Sequence, residues 1–170
     1  MYDRAPAPGG LALVESLVNT LSVDTGTDRL DSADGRAAFG LTAAEVPAAK
    51  ELREALRAAC LAHAGHSSPG RSAGDLDRML TGAPLRVSVD GAGAVTLRPT
   101  ADPAALLSRV ATAIAEAAAD GSWLRLKACE AEDCLWAYYD RSPAGRSRWC
   151  SMAVCGSRAK MRAYRARRGG

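Results

Sequence analysis

Four of the five cysteines in this 170-residue chain fall within its last 42 residues, as Cys129-x4-Cys134 and Cys150-x4-Cys155. Two short thiol pairs separated by a 15-residue spacer suit a tetrahedral site of four thiolates around one zinc ion. Each pair supplies two thiolates from one tight turn, and the spacer lets the second turn close over the same ion. The reading is one structural Zn2+ held by Cys129, Cys134, Cys150 and Cys155. The segment after the last cysteine carries Arg158, Lys160, Arg162, Arg165, Arg167 and Arg168. A metal-stapled turn feeding a basic helix is suited to docking on a polyanion.

The alternative chemistry for paired cysteines is a disulfide or a set of free thiols. Met1-Tyr-Asp-Arg-Ala-Pro lacks a basic start, and Leu11-Ala-Leu-Val14 is a short apolar run that Glu15 interrupts, so a secretory signal is not expected. A reduced, cytoplasmic chain is expected instead, and there clustered cysteines are more often metal ligands than disulfides. No stretch approaches the roughly 18 uninterrupted apolar residues of a membrane span.

The formal charge of +3 conceals an asymmetry. Residues 1–122 carry a net charge of −4, whereas residues 123–170 carry +7. Any nucleic acid is therefore expected to meet only the C-terminal end. The hydrophobic fraction of 48% contains a single Phe, so the core should be aliphatic and helix-rich.

Those C-terminal residues need elements to position them. A flexible start, residues 1–9, precedes an amphipathic helix over Leu11–Leu21, where Leu11, Val14, Leu17, Val18 and Leu21 recur at helical spacing. Asp24–Gly35 reads as a loop and Arg36–Gly40 as one helical turn. Thr42 with Glu45 makes a capping box for a long helical segment over Ala43–His63, which Pro47 delays or kinks. Gly65–Gly74 is a loop, followed by a short helix near Asp75–Leu80. Two alternating runs across Asp90-Gly-Ala-Gly93 predict a β-hairpin. A helix then opens at Asp102-Pro103 and ends near Asp120 before Gly121. Beyond it, Trp123–Lys127 and Leu135–Asp140 read as strands flanking the first cysteine turn, and Arg141–Ser147 as a mobile crossover. Gly156 lets the backbone turn away from the metal, and Ser157 caps the final helix.

The fold class is thus α+β: a mainly helical N-terminal domain with a β-hairpin (10–122), followed by a small four-cysteine zinc-finger module ending in a basic helix (123–170). The run Arg148-Trp-Cys-Ser-Met-Ala-Val-Cys-Gly-Ser-Arg-Ala-Lys160, with Cys129-x4-Cys134 upstream and Tyr138-Tyr-Asp-Arg-Ser142 between, resembles the CGNR zinc finger. Leu17-Val-Asn-Thr20 and the helix, hairpin, helix order resemble the ABATE domain, which usually precedes that finger in bacterial stress-induced transcription regulators. The resemblance implies binding of double-stranded DNA. One departure stands out: Ser157 occupies the asparagine position of the signature. Both residues cap helices well, but a contact made by an asparagine amide would be lost.

At 100° per residue Arg158, Arg162 and Arg165 share one stripe of the final helix, and Lys160 and Arg167 lie opposite. Ser157, Met161 and Tyr164 lie between, a stripe expected to pack on the zinc turns or the crossover. Trp136, Tyr138, Tyr139 and Trp149 are expected to form the module's miniature core. Cys60, His63 and His66 are read as a buried thiol and two ordinary histidines rather than a second metal set. Asn19 and Thr20 are read as helix surface. No Gly-rich phosphate loop, Ser-His-Asp set or metal-His-Glu cluster occurs, and four cysteine ligands leave zinc no open position, so an enzyme is not expected. A redox-responsive zinc switch or a zinc-dependent protein-interaction module are the other readings. The acidic body is expected to form a homodimer, through Leu11–Leu21 and the hairpin edge near 84–98, or to sense a small-molecule effector.

Overall fold

The computed structural model describes residues 5–67 and 72–168. Helix α1, Leu11–Val18, buries Leu11, Val14, Leu17 and Val18. It stops before Leu21 because the Thr20 hydroxyl returns to the Leu17 carbonyl at 2.8 Å. Leu21 begins strand β1 (Leu21–Ser22), paired antiparallel with β2 (Thr27–Asp28). The segment expected to be loop then winds into a 3-10 turn at Arg29–Asp31 and helix α2, Ala33–Ala37. Ser32 starts that helix by accepting from the Gly35 amide at 3.0 Å, a cap the sequence reading passed over.

The Thr42–Glu45 capping box is present, and it opens a 3-10 turn at Ala43–Glu45 rather than an α-helix. Helix α3, Val46–His63, follows with Pro47 in its first turn, where a missing N–H costs no hydrogen bond. Helix α4, Ala73–Leu80, folds back onto α3. Of the expected Gly65–Gly74 loop, residues 68–71 lie outside the described residues. Strands β3 (Leu85–Val89) and β4 (Val95–Pro99) form the expected hairpin, closed by Asp90, whose carboxylate accepts from the Ala92 and Ala94 amides. Helix α5, Leu106–Ala119, begins a few residues past Pro103 and ends before Gly121, whose φ of 76° only glycine adopts freely. It crosses α1 so closely that a Cβ on Gly10 would lie 2.7 Å from that of Ala113.

Trp123–Arg125 is a 3-10 turn, not strand, and β5 (Leu126–Ala128) pairs antiparallel with β6 (Ala137–Tyr139). Leu126, Ala128 and Ala137 are fully buried in the same core as α1, α3 and α5. A π turn, Met152–Gly156, then runs into helix α6, Ser157–Arg168.

Long-range polar contacts fix the β5–β6 hairpin against the body. Asn19 is buried, not surface: its Nδ2 donates to the Ala137 carbonyl at 2.9 Å, and its Oδ1 accepts from the Ala137 amide at 2.7 Å. Arg57, 2% exposed on α3, donates to the carbonyls of Val18 and Leu135 at 3.0 and 3.1 Å. Its neighbour Arg53 reaches Asp28 at 2.6 Å and Thr20 at 3.2 Å. Burial pushes the Asp28 carboxyl upward, but hydrogen bonds from Arg53, the Leu30 amide and Lys50 hold it below its ordinary value. The start expected to be flexible is also tied down from residue 5 onward. Ala7 is buried and donates to Glu15 at 2.6 Å, and Arg141 donates to the carbonyls of Ala5 and Pro6.

Asn19→Ala strips both partners from a buried peptide group without changing the local helix. The expected cost is about 2 kcal/mol, which lowers Tm by roughly 4–8 °C for a chain of this size. A thermal melt indistinguishable from wild type would show that Asn19 does not clamp the hairpin.

Candidate metal centre and basic helix

The cysteines of the two turns converge. The sulfur atoms of Cys129, Cys134, Cys150 and Cys155 all lie within 4.8 Å of one another, and three of the four residues are buried. Cys150 Sγ stands 3.6 Å from both Cys134 Sγ and Cys155 Sγ. A disulfide needs about 2.0 Å. A tetrahedron with metal–sulfur bonds of about 2.3 Å has sulfur–sulfur edges of about 3.8 Å, close to the spacing present. The proton chemistry agrees. Thiol donation from Cys134 and Cys150 holds Cys129 well below its ordinary value, and hydrogen bonding to Cys129, with burial, pushes Cys134 and Cys150 upward. Thiolates this close repel one another, so ionising them together calls for a cation at their centre. The donor set fits a thiophilic divalent ion.

Local geometry explains how each turn forms. In the first, the amides of Cys134 and Leu135 both donate to the Ala131 carbonyl, at 2.8 and 3.0 Å. This forces Leu135 to a φ of 51°, an uncommon conformation for a side chain of its size, and Arg57 secures it through the Leu135 carbonyl. The Glu130 amide donates to the Arg148 carbonyl at 3.1 Å and brings the second turn alongside. That second turn is capped by Ser151, whose hydroxyl accepts from the Val154 amide, and not by Ser157. Ser157 is already helical and donates its hydroxyl to the Met152 carbonyl at 3.1 Å. Gly156 serves close packing rather than a reversal: a Cβ there would meet Met152 Sδ at 3.0 Å and Trp149 at 3.3 Å, so these neighbours would have to shift slightly.

The crossover expected to be mobile is stapled by Asp140. That carboxylate is fully buried and accepts from Lys127 at 3.0 Å and from the amides of Ser142 and Ser147 at 3.0 and 2.9 Å. Desolvation raises its pKa, and these donors more than reverse the effect. The Tyr138 hydroxyl donates to the Ser147 carbonyl at 2.7 Å. Tyr138, Trp136 and Trp149 pack around the cysteines as the expected small core, whereas Tyr139 packs on the body.

The four cysteines are the one cluster of metal-ligand type among the described residues. Cys60 is buried in the body core, and burial pushes its thiol up to about 12. His63 bonds the Leu126 carbonyl at 2.7 Å and sits edge-on to Trp123, and His66 lies 3.4 Å from Glu130. They do not converge.

Helix α6 leaves the second turn and is exposed along nearly its whole length, with its only substantial packing among the described residues against the π turn that feeds it. Arg158 pairs with Asp133 at 3.8 Å, both half exposed. Ala159, Ala163, Lys160 and Arg162 face Glu130, Glu132 and Asp133 across a cleft of about 780 Å³. The stripe expected to pack inward does not: Met161 is 52% and Tyr164 47% exposed.

Paired cysteine knuckles closing on one centre and running into a terminal helix define a zinc finger. The family model described as CGNR zinc finger matches residues 125–168. The family model ABATE, described as "Putative stress-induced transcription regulator", matches residues 11–121. The chain belongs to the ABATE family and carries a CGNR zinc finger behind the family domain. No curated protein matches it.

Sequence reasoning missed the residues that hold the finger in place. Arg53 and Arg57 offered a signal, since they share the helical period of Leu52, Leu56 and Cys60, an odd place for two cations. Lys127 with Asp140 offered none. Asp140→Ala leaves the Lys127 ammonium, 5% exposed, without its counter-ion. Denaturant unfolding of the metal-loaded protein should show a loss of about 3–5 kcal/mol. A loss under about 1 kcal/mol would mean that the crossover does not depend on this pair.

Proposed function

We propose that this protein is a cytoplasmic transcription regulator that binds double-stranded DNA through α6, held by one structural Zn2+ on Cys129, Cys134, Cys150 and Cys155. One observation carries the reading. Helix α6 holds six cations and no acidic residue, and protrudes with no described part of the body laid over it. Arg158, Lys160, Arg162, Arg165, Arg167 and Arg168 serve as the phosphate contacts, with Arg158 exchanging its weak exposed pair with Asp133 for DNA. When bound, zinc supplies charge compensation for the thiolates and fixes where α6 leaves the module. A twelve-residue helix without tertiary cover is marginal alone, so its orientation derives from that turn.

A single module of this size buries too little surface for a unique site, and a second half-site needs a second copy. Helix α1 does not supply the dimer contact, because its apolar residues are spent on the core. The β3–β4 hairpin suits it better. Val87, Val89 and Val95 share one face, each more than 60% exposed, and neither strand has a second partner among the described residues. An effector site has no comparable support.

Purified protein should contain about one zinc per chain, and Cys150→Ala should lose it. DNA affinity should fall steeply with salt. Deletion of residues 157–170 should abolish binding, and Arg165→Ala should flatten the log–log salt slope by about one. Full affinity in the deletion variant would refute the DNA-binding role of α6.

A further inference from the structure

The exposed apolar stripe on α6 has no use inside the molecule, and its surroundings indicate what covers it. At 100° per residue Ser157, Met161, Tyr164 and Arg168 fall within roughly 60° of one another, and Ala159, Ala163 and Ala166 lie on the opposite side. The alanine side faces the cleft walled by Glu130, Glu132 and Asp133. That cleft is of mixed charge, with Arg148, Lys160 and Arg162 beside the three carboxylates and Arg148 paired to Glu130, so it offers a polyanion no net basic wall. The opposite side carries Met161 and Tyr164, each about half exposed, with Met152 beside them at 55%. Arg158 and Arg165 flank this stripe on one edge, and Lys160 and Arg167 on the other. Two rows of cations bordering an apolar strip match the section of a major groove, with phosphates on both rims and base edges on the floor. Arg168 adds order: it donates to the Tyr164 hydroxyl at 2.7 Å and lies over its ring, holding that side chain along the helix.

Resting on the DNA-binding reading above, we infer that the Met161 stripe is the base-facing side of α6 and that Met161 reads the 5-methyl group of thymine. Met161 stands at the centre of the stripe, one turn from Ser157 and one from Tyr164. Its unbranched thioether is polarizable and makes no hydrogen bonds that a base edge would have to satisfy. The thymine methyl is the one apolar group in the major groove, so an apolar side chain brought to the groove floor discriminates by contact with it. The arginines on the rims then set affinity, and the methionine sets part of the preference. This assignment also accounts for a half-exposed apolar side chain among four cations that joins neither hydrophobic cluster of the described residues.

The test uses full-length, zinc-loaded protein and the duplexes it enriches from a random-sequence pool. Each recovered duplex is resynthesised with deoxyuridine in place of thymidine, which removes the methyl and leaves the pairing intact. Wild type should bind the deoxyuridine duplex about fourfold more weakly for each contacted methyl lost. Met161→Ala should bind both duplexes alike, near the wild-type affinity for the deoxyuridine form, with the salt slope unchanged. Met161 is exposed and alanine favours helix, so zinc content and helicity should match wild type. Equal wild-type affinity for the two duplexes would overturn the inference and leave DNA binding standing. A thymidine preference that survives in Met161→Ala would overturn it too, by moving the contact elsewhere on the helix. Failure to enrich any duplex would remove the DNA-binding reading and this inference together.

Discussion

The direction in which the basic helix points depends on one short hairpin that belongs to two structures at once. At one end β5 and β6 are core strands: Leu126, Ala128 and Ala137 are fully buried among the helices of the body. At the other end the same strands lead into and out of the first cysteine turn. Asn19 grips Ala137 through both its peptide groups, and Arg57 holds the carbonyl of the left-handed Leu135, next to Cys134. A small zinc module is usually oriented by a linker. Here Leu126, Ala128, Leu135, Ala137, Tyr139 and Arg141 are all packed or hydrogen-bonded in the body, so the module inherits the body's rigidity.

That arrangement has an electrostatic consequence. The body is acidic, and the first cysteine turn adds Glu130, Glu132 and Asp133 on the side of α6 that faces it. Asp133 pairs with Arg158, and the field of Arg158 extends to Asp24 of the body. Cations nearest the body are partly compensated there, whereas those toward the tip, such as Arg165 and Arg167, face solvent. Attraction for a polyanion is therefore graded along and around the helix and not spread evenly over it.

How much of this was legible in the chain follows from the range of each interaction. The zinc-finger cysteines were legible because ligand spacing is a local property of two tight turns. The β3–β4 hairpin and the Thr42–Glu45 box were legible for the same reason. The role of Asn19 was not: Leu17-Val-Asn-Thr20 stood out as a motif, but the partner lies 118 residues away and nothing near Asn19 points to it. The Lys127–Asp140 pair was hidden too, since a charged residue in a strand reads as surface until the chain folded over it is known. Three expectations failed at junctions. Helix α1 stopped short at Thr20, Ser151 rather than Ser157 capped the last turn, and the crossover was pinned by Asp140. In each case a side chain satisfied backbone groups that propensity alone leaves open.

The final helix shows the limit of periodicity most clearly. Its pattern gave the correct grouping of Ser157, Met161 and Tyr164, but a pattern cannot say which side of a helix is covered. The usual inference, that apolar residues face the protein, fails because the side of α6 nearest the module carries Ala159 and Ala163 with Lys160 and Arg162. The turn that feeds the helix is tight there as well: a Cβ on Gly156 would stand 3.0 Å from the end of the Met152 side chain and 3.3 Å from Trp149. The side of α6 nearest the module borders an open cleft and the helix packs mainly on the π turn that feeds it, so no inward surface along α6 is available to cover Met161 and Tyr164.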